Sequence, residues 1–238
     1  MDHGQRLREA AQEVTRVRAA SATDPSIRSW VHAVKTWQAH RLARTHRDLL
    51  TEPRHVPAAR FFLEDLYGAK DFSQRDAELA RIVPMMARLL PDAALATIAD
   101  AVEMDALSER LDLALARRLR EPDAPAIDEA AYADAYRAAG SRSEREHQIE
   151  LIVTVGRSLD RLVRHPMLGH LLNAMGGPAR LAGLSEMHDF LARGFEAFRS
   201  MGGASEFLAR IERRERQILE ALYAGASANW SEDPPASP

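Results

Sequence analysis

The sequence contains no cysteine, and this absence removes several kinds of chemistry at once. Without a thiol the chain cannot form a disulfide, use a thiolate nucleophile, or hold zinc or an iron–sulfur cluster through cysteine. Long apolar runs are missing too, since stretches such as 151–155 fall far below the ~20 residues of a membrane span. The N-terminal residues are polar and lack the apolar core of a secretory signal. We therefore expect a cytoplasmic protein that does not enter a membrane.

Lysine is scarce as well, and the basic residues are unevenly distributed along the chain. Only Lys35 and Lys70 are lysines among 32 basic residues, and the formal net charge is -3. Residues 1–60 contain 11 Lys or Arg and 6 Asp or Glu, whereas residues 61–140 contain 9 and 16. A basic segment can bind nucleic acid or an acidic partner. Because an acidic segment follows directly, we expect the two to pair within the protein, and we do not expect a nucleic-acid partner.

Strand signals are almost absent from the sequence. Val, Ile, Thr, Tyr and Phe are sparse and do not alternate with polar residues, whereas the helix formers Ala, Leu, Arg and Glu dominate. Apolar residues recur at three- and four-residue spacing, which is typical of amphipathic helices. The pattern predicts an all-α protein, a compact bundle of nine or ten helices without a sheet. We expect a single helical domain over residues 1–225, with any boundary between two lobes near 121–127, and a disordered tail at 226–238.

Capping residues, proline and glycine mark the predicted helix ends. Asp24 and Asp128 are predicted N-caps, and the residues from Ser141 to Glu144 form a predicted capping box. The Gly-Gly pairs at 176–177 and 202–203 each predict a turn at which one helix ends and the next begins.

The stretch at residues 61–76, FFLEDLYGAKDFSQRD, is dense in aromatic and charged residues. A structural interpretation makes it a junction between two helices that turns at Gly68. A functional interpretation notes five acids between residues 64 and 78, which could bind a cation or transfer a proton. Both interpretations are open. The candidate site residues from this stretch are Asp65, Tyr67, Asp71, Arg75 and Asp76.

This stretch, together with LVRHP at 162–166 and FEAFRSMGGA at 195–204, resembles an uncharacterised family of bacterial all-helical proteins. The family shares an FFLxDLYG…DFxxRD block and a C-terminal FxAFxxMGGA block. The resemblance covers about residues 20–224. It implies a common helical architecture and carries no known activity, cofactor or catalytic residue.

Three histidines are further candidates for a ligand or polar site. His188 falls on the apolar stripe of its helix, so it could ligate haem or a metal, act as a base, or bond to a backbone carbonyl. His40 continues an apolar stripe and invites the same alternatives, and His165 is a predicted helix cap before Pro166. The Glu-x-x-His unit at 144–147 lacks the second inward copy that a di-iron site needs, so no metal site is predicted.

No nucleotide-binding glycine loop, nucleophile elbow or zinc-protease helix occurs in the sequence. The first hypothesis is therefore a non-catalytic helical interaction or regulatory protein. It would have a protein partner or form a homodimer, with the apolar side of the last helix as one seam. The alternative is a ligand-binding or enzymatic bundle that holds haem or a metal near its inward histidines and acids. The cofactor and the catalytic residues are unknown from the sequence.

Overall fold

The computed structural model describes residues 2–66, 73–89, 92–120 and 127–225. Within these ranges the chain forms ten α-helices and one π-helical turn, Phe62–Leu66, and it contains no strand. The helices are α1 His3–Ala22, α2 Pro25–Thr45, α3 Val56–Phe61, α4 Ser73–Leu89, α5 Asp92–Arg120, α6 Glu129–Ala138, α7 Arg142–Leu162, α8 Pro166–Leu181, α9 Ser185–Met201 and α10 Ser205–Tyr223. The predicted all-α class without a sheet is confirmed.

The predicted N-caps are confirmed at three helices. Asp24 accepts hydrogen bonds from the first turn of α2, and Asp128 accepts one from the N–H of Ala131 at 2.8 Å. Ser141 and Glu144 form the full capping box at the start of α7, because each side chain accepts from the backbone N–H of the other. These caps satisfy N–H groups that the helices cannot satisfy internally.

The long helix α5 lies at the centre of the bundle and packs against α1, α2, α6 and α7. Three buried apolar clusters surround it, and each contains residues from both sides of the segment 121–126. The predicted boundary at 121–127 lies outside the described residues except for Ile127, and the tail at 226–238 lies outside them entirely. The single domain over 1–225 therefore stays a prediction.

The helices α7 and α10 pack closely at one glycine. A Cβ atom added to Gly156 of α7 would clash with the buried side chain of Leu208 on α10, so a larger residue at position 156 would force Leu208 to shift. The apolar side of α10, which the sequence offered as a dimer seam, is buried within the same chain through residues such as Phe207, Ile218 and Leu222. That expectation is wrong, because the core of the protein itself covers this side.

The two Gly-Gly pairs adopt different conformations. At 202–203 the chain turns as predicted, with φ of 68° at Gly202 and 137° at Gly203. The turn predicted at 176–177 is wrong, because α8 continues through this pair and ends near Gly183, whose φ is 65°. Glycine is compatible with a helix as well as with a left-handed turn, so the pair alone does not determine where a helix ends.

The basic N-terminal segment pairs with the acidic middle of the chain, as predicted. Arg6 donates to Asp100 and Glu103 at 2.7 Å each, and Arg18 forms an ion pair with Asp105 at 3.1 Å. Such pairs join α1 to α5 across the bundle. In the described part of the chain no helix has the length and apolar character needed to cross a membrane.

Candidate functional site

A cavity of about 100 Å³ lies among α2, the π-helical turn, α6, α7 and α10. Its apolar wall includes Leu49, Phe62, Ile152, Phe207 and Ile211. Its polar wall consists of Gln38, Arg41, His46, Tyr132, Tyr136, Arg145, Gln148 and Glu215. The π-helical turn contributes to the wall directly, since Phe62 and Leu63 both line the cavity. A cavity with an apolar body and a few polar groups is the usual form of a small-molecule site.

One polar group in the wall is an ion-paired triad of Arg41, His46 and Glu215. Arg41 Nη1 donates to both carboxylate oxygens of Glu215 at 2.6 and 2.7 Å, and His46 Nε2 donates to the same carboxylate at 2.9 Å. Burial alone would raise the pKa of Glu215, but the charge of Arg41 and the bond from His46 hold this pKa at about 2. Glu215 therefore stays ionised near neutral pH and neutralises Arg41.

Arg145 is the second polar group, and it has no such partner. It is 2% exposed, and its guanidinium carbon lies 4.2 Å from the centre of the Tyr136 ring. Its Nε and Nη2 have no hydrogen-bond acceptor, and no carboxylate within the described ranges lies in ion-pair distance. The cation–π contact offsets part of the burial cost. Since arginine does not lose its proton, the interior holds a cation with two unsatisfied N–H groups.

Two more buried nitrogens around the same cavity lack a partner. They are Nε of Arg41 and Nδ1 of His46, and neither has an acceptor or donor among the residues that the structure describes. Buried polar atoms in proteins are nearly always hydrogen-bonded. Four such atoms thus belong to three residues that line one cavity.

A further buried acid, Asp112 of α5, lies behind the cavity wall. Burial raises the pKa of Asp112 to about 6, while the charges of Lys35 and Arg145 and a hydrogen bond with Gln38 oppose this shift. Gln38 also donates to the hydroxyl of Tyr132 at 3.2 Å. Burial raises the pKa of Tyr132 as well. Gln38 thus joins the cavity wall to a carboxyl group that titrates near neutral pH.

None of the three candidate histidines lines this cavity. The Nε2–H of His188 donates to the carbonyl of Leu172 at 2.9 Å, so this nitrogen is occupied by a backbone bond. His40 is exposed, and the expectation that it faces inward is wrong. It lies about 240° around α2 from buried Val34 at 100° per residue. His165 occupies the N-cap of α8 but is exposed and makes no side-chain capping bond, so it is a cap by position only.

The acids of the FFLEDLYGAKDFSQRD stretch are not brought together where they are described. Asp65 accepts from Arg193 of α9 at 2.8 and 3.3 Å. Glu78 is buried and accepts from the backbone N–H of Met187 at 2.8 Å, so it caps the start of α9. Tyr67 and Asp71 lie outside the described residues, and so do the side chains of Arg75 and Asp76. Within the described ranges no group of three or more His, Asp or Glu side chains is arranged to hold a metal ion.

The sequence reasoning missed Arg145 and Glu215, although a signal for each was present. Arg145 precedes Ile149 by four residues and Ile152 by seven, and Glu215 lies between Ile211 and Ile218 at helical spacing. Each charged residue therefore falls on the apolar stripe of its helix. A charged side chain at such a position is rarely buried without a partner. A charge on an apolar stripe is therefore a sequence signal for a buried polar site.

Comparison with protein families finds a match over residues 17–229 to a domain of unknown function, DUF8198. No curated protein and no solved structure matches the chain. The family match covers most of the 238 residues, including every residue that lines the cavity. The chain therefore belongs to the DUF8198 family, whose function is unknown.

Proposed function

We propose that the protein binds a small anionic molecule in the cavity between α2, α6, α7 and α10, and that Arg145 is the residue that binds the anion. The observation that carries this proposal is the buried guanidinium whose Nε and Nη2 have no acceptor among the residues that the structure describes. Burying an unpaired charge costs several kcal/mol. A charge that is kept in the interior without a partner is available to pair with an anion.

The chemistry of Arg145 favours a carboxylate. Nε–H and Nη2–H lie along one edge of the guanidinium and match the two oxygens of a carboxylate in a bidentate pair. Both nitrogens are shielded from solvent, so a carboxylate reaches this edge when neighbouring side chains of the cavity shift. The aromatic and aliphatic wall then surrounds the apolar body of the ligand.

The volume of the cavity limits the size of the ligand. A dry engineered cavity of about 150 Å³ holds benzene, so about 100 Å³ suits a body of roughly four or five carbons. Short aliphatic carboxylates such as butyrate and isovalerate have this size and one negative charge. They are the probes that fit both the charge of Arg145 and the apolar wall.

The test is an isothermal titration of the protein with butyrate, isovalerate and benzoate. We expect Arg145→Met to weaken butyrate binding by about ten- to a hundredfold, because a hydrogen bond to a charged group contributes ~1.5–3 kcal/mol. Arg214→Met is the matched control, since Arg214 is also buried but is ion-paired to Asp48 and does not line the cavity. Equal affinity of the wild type and Arg145→Met for butyrate would contradict the proposal.

One neutral probe and one control of the fold sharpen this result. Butyramide has the size of butyrate but no charge, so we expect weak binding that does not differ between the wild type and Arg145→Met. Circular dichroism of both arginine variants shows whether they keep the helical fold at the temperature of the titration. Strong binding of butyramide would show that the cavity selects for size alone.

The exposed side of α8 supports a second proposal, association of two copies of the chain. Large apolar side chains stand out on this helix, with Met167 82% and Leu181 93% exposed, and Leu171 and Met175 exposed beside them. Apolar patches of this kind mark interaction surfaces. Sedimentation equilibrium of the wild type and of Met167→Glu tests this proposal. We expect a dimer that the charged variant weakens, and a monomer at every concentration would exclude it.

For the cellular setting we propose the cytoplasm of a bacterium, without a nucleic-acid partner. The lack of cysteine fits a reducing compartment. The basic residues of the first segment that would contact phosphates include Arg6 and Arg18, and both are already engaged by acids of α5. Fluorescence anisotropy with a labelled oligonucleotide at low salt would detect binding if this part of the proposal were wrong.

A further inference from the structure

We propose that the ligand of this cavity is a monocarboxylate that binds together with one proton, and that Asp112 takes up this proton. The inference rests on the proposed function, since it concerns the same cavity and the same Arg145. It names the ligand class and adds a property that simple anion binding does not have, which is proton uptake at neutral pH.

The first argument is the balance of charges in the interior. Three cations and three acids, each at most 18% exposed, either line the cavity or surround Asp112 behind its wall: Arg41, Arg145 and Glu215 line it, and Lys35 and Glu109 act on Asp112. Their formal charges cancel when all are ionised. A monoanion that enters would leave a net negative charge in a region of low dielectric constant, which is strongly unfavourable. One acid must therefore gain a proton for the anion to bind well.

The second argument concerns which acid gains that proton. Glu109 is ion-paired to Lys35 and to Arg18, and Glu215 is ion-paired to Arg41. Asp112 has no cation within ion-pair distance in the described part of the chain. Its ionised form is therefore the least stabilised of the three. Burial already raises the pKa of Asp112 to about 6, in agreement with this order.

The groups that face Asp112 from the neighbouring helices are not expected to change charge near neutral pH, so Asp112 is the group that takes up the proton. They are Lys35 and Gln38 of α2, Glu109 of α5 itself, Tyr132 of α6 and Arg145 of α7, with Arg18 of α1 behind Glu109. Burial raises the pKa of Tyr132 away from neutrality, and Lys35 and Arg18 hold the pKa of Glu109 below its usual value against the opposing effect of burial. Arginine and glutamine do not titrate in this range.

The proposed binding step is balanced in charge. In the free protein Arg145 lies in the field of the Asp112 carboxylate. The carboxylate of the ligand then pairs with Arg145, and a proton from solvent forms an O–H bond on Asp112. One negative charge and one positive charge enter together, so the net charge of the interior does not change. No other bond forms or breaks.

The experiment is a titration of the full-length protein with butyrate in Tris, imidazole and MOPS, which differ in ionisation enthalpy. We expect the measured binding enthalpy to change linearly with the ionisation enthalpy of the buffer. The slope should correspond to uptake of about one proton at pH 7. We also expect the affinity to fall about tenfold per pH unit between pH 6.5 and 8. With Asp112→Asn, binding should persist without proton uptake, and the affinity should be constant over this range.

His46 also lines the cavity, and its Nδ1 has no partner among the described residues, so His46→Gln serves as the comparison. We expect this variant to keep the proton uptake. Butyrate binding without proton uptake, or proton uptake lost in His46→Gln and kept in Asp112→Asn, would overturn the inference while the proposed function stands. Failure of butyrate, isovalerate and benzoate to bind at all would overturn both. If Asp112→Asn does not fold, the buffer series on the wild type still tests proton uptake, and the same series on His46→Gln tests whether this uptake depends on His46.

Discussion

Arg145 and Arg214 lie in two regions of the bundle and are buried to a similar extent, but they have different hydrogen-bond partners. Arg214 is 8% exposed and donates to Asp48 at 2.7 and 2.9 Å and to the carbonyl of Thr45 at 3.2 Å. Arg145 is 2% exposed and is left with the ring of Tyr136. The comparison teaches that burial alone does not show whether an arginine is neutralised by an acid, whereas its hydrogen-bond partners do.

The acids near the two arginines also differ, because their pKa values are shifted in opposite directions. The hydrogen bond from Arg214 holds the pKa of Asp48 at about 2, whereas burial raises the pKa of Asp112 to about 6. The region around Arg214 thus stabilises an ionised carboxylate, whereas the region around Arg145 destabilises one. The two regions should respond to pH in opposite directions, and this sets the largest of the expected effects.

The largest effect is expected for Asp112→Asn. The folded-state pKa of about 6 lies above the usual 3.8, so ionisation of Asp112 lowers the stability of the wild type as pH rises from 4 to 6. The shift corresponds to about 3 kcal/mol at most. Urea denaturation at pH 4 and at pH 7 should show the variant gaining stability relative to the wild type at the higher pH. A constant difference between the two proteins would contradict the pKa assignment.

Asp48 provides the control with the opposite sign. Its folded-state pKa lies below the usual value, so its contribution is present above pH 4 and is lost as the pH falls toward 2. Asp48→Asn should therefore differ from the wild type at pH 7 and approach it in acid.

Removal of each arginine should have the next largest effect. Arg214→Met breaks charged hydrogen bonds, so we expect a loss of ~1.5–3 kcal/mol in the free energy of unfolding. Arg145→Met removes a buried charge without breaking a hydrogen bond to a described residue, so we expect a smaller loss or a gain. Urea denaturation at pH 7 measures both. A greater loss for Arg145→Met would show that its guanidinium is better satisfied than the geometry indicates.

The smallest effect is expected for the contact between Arg145 and Tyr136. The ring compensates part of the buried charge, so a double-mutant cycle of Arg145→Met with Tyr136→Leu should give a coupling of about 1 kcal/mol. The same cycle with Arg214→Met should give additive effects, because Arg214 does not line the cavity with Tyr136. Equal coupling in both cycles would mean that Tyr136 acts through general packing.

Most of the fold was predictable because helix signals are local. Asp24, Asp128 and the pair Ser141 and Glu144 mark helix starts through bonds to residues two or three positions away. The end of α8 was not predictable from Gly176 and Gly177, since the conformation of these glycines is decided by the surrounding packing. The family resemblance to uncharacterised helical proteins agrees with the DUF8198 match.

The candidate site was much harder to predict, because its partners come from distant parts of the chain. Glu215 lies 174 positions from Arg41, and no local pattern brings the two together. His188 was correctly placed on an inward face, but its bond to Leu172 could only be seen in the structure. Arg145 has one signal in the sequence, its place on an apolar stripe, because arginine is rarely buried at such a position.

Gly156 has a consequence beyond the packing of two helices. It is not part of the cavity wall, yet it fixes how near α7, which carries Arg145, comes to α10, which carries Glu215. The distance between these two helices, which form opposing walls of the cavity, is thus set in part by the absence of a side chain at residue 156. A larger residue at position 156 is therefore expected to change the volume of the cavity without altering any residue that lines it.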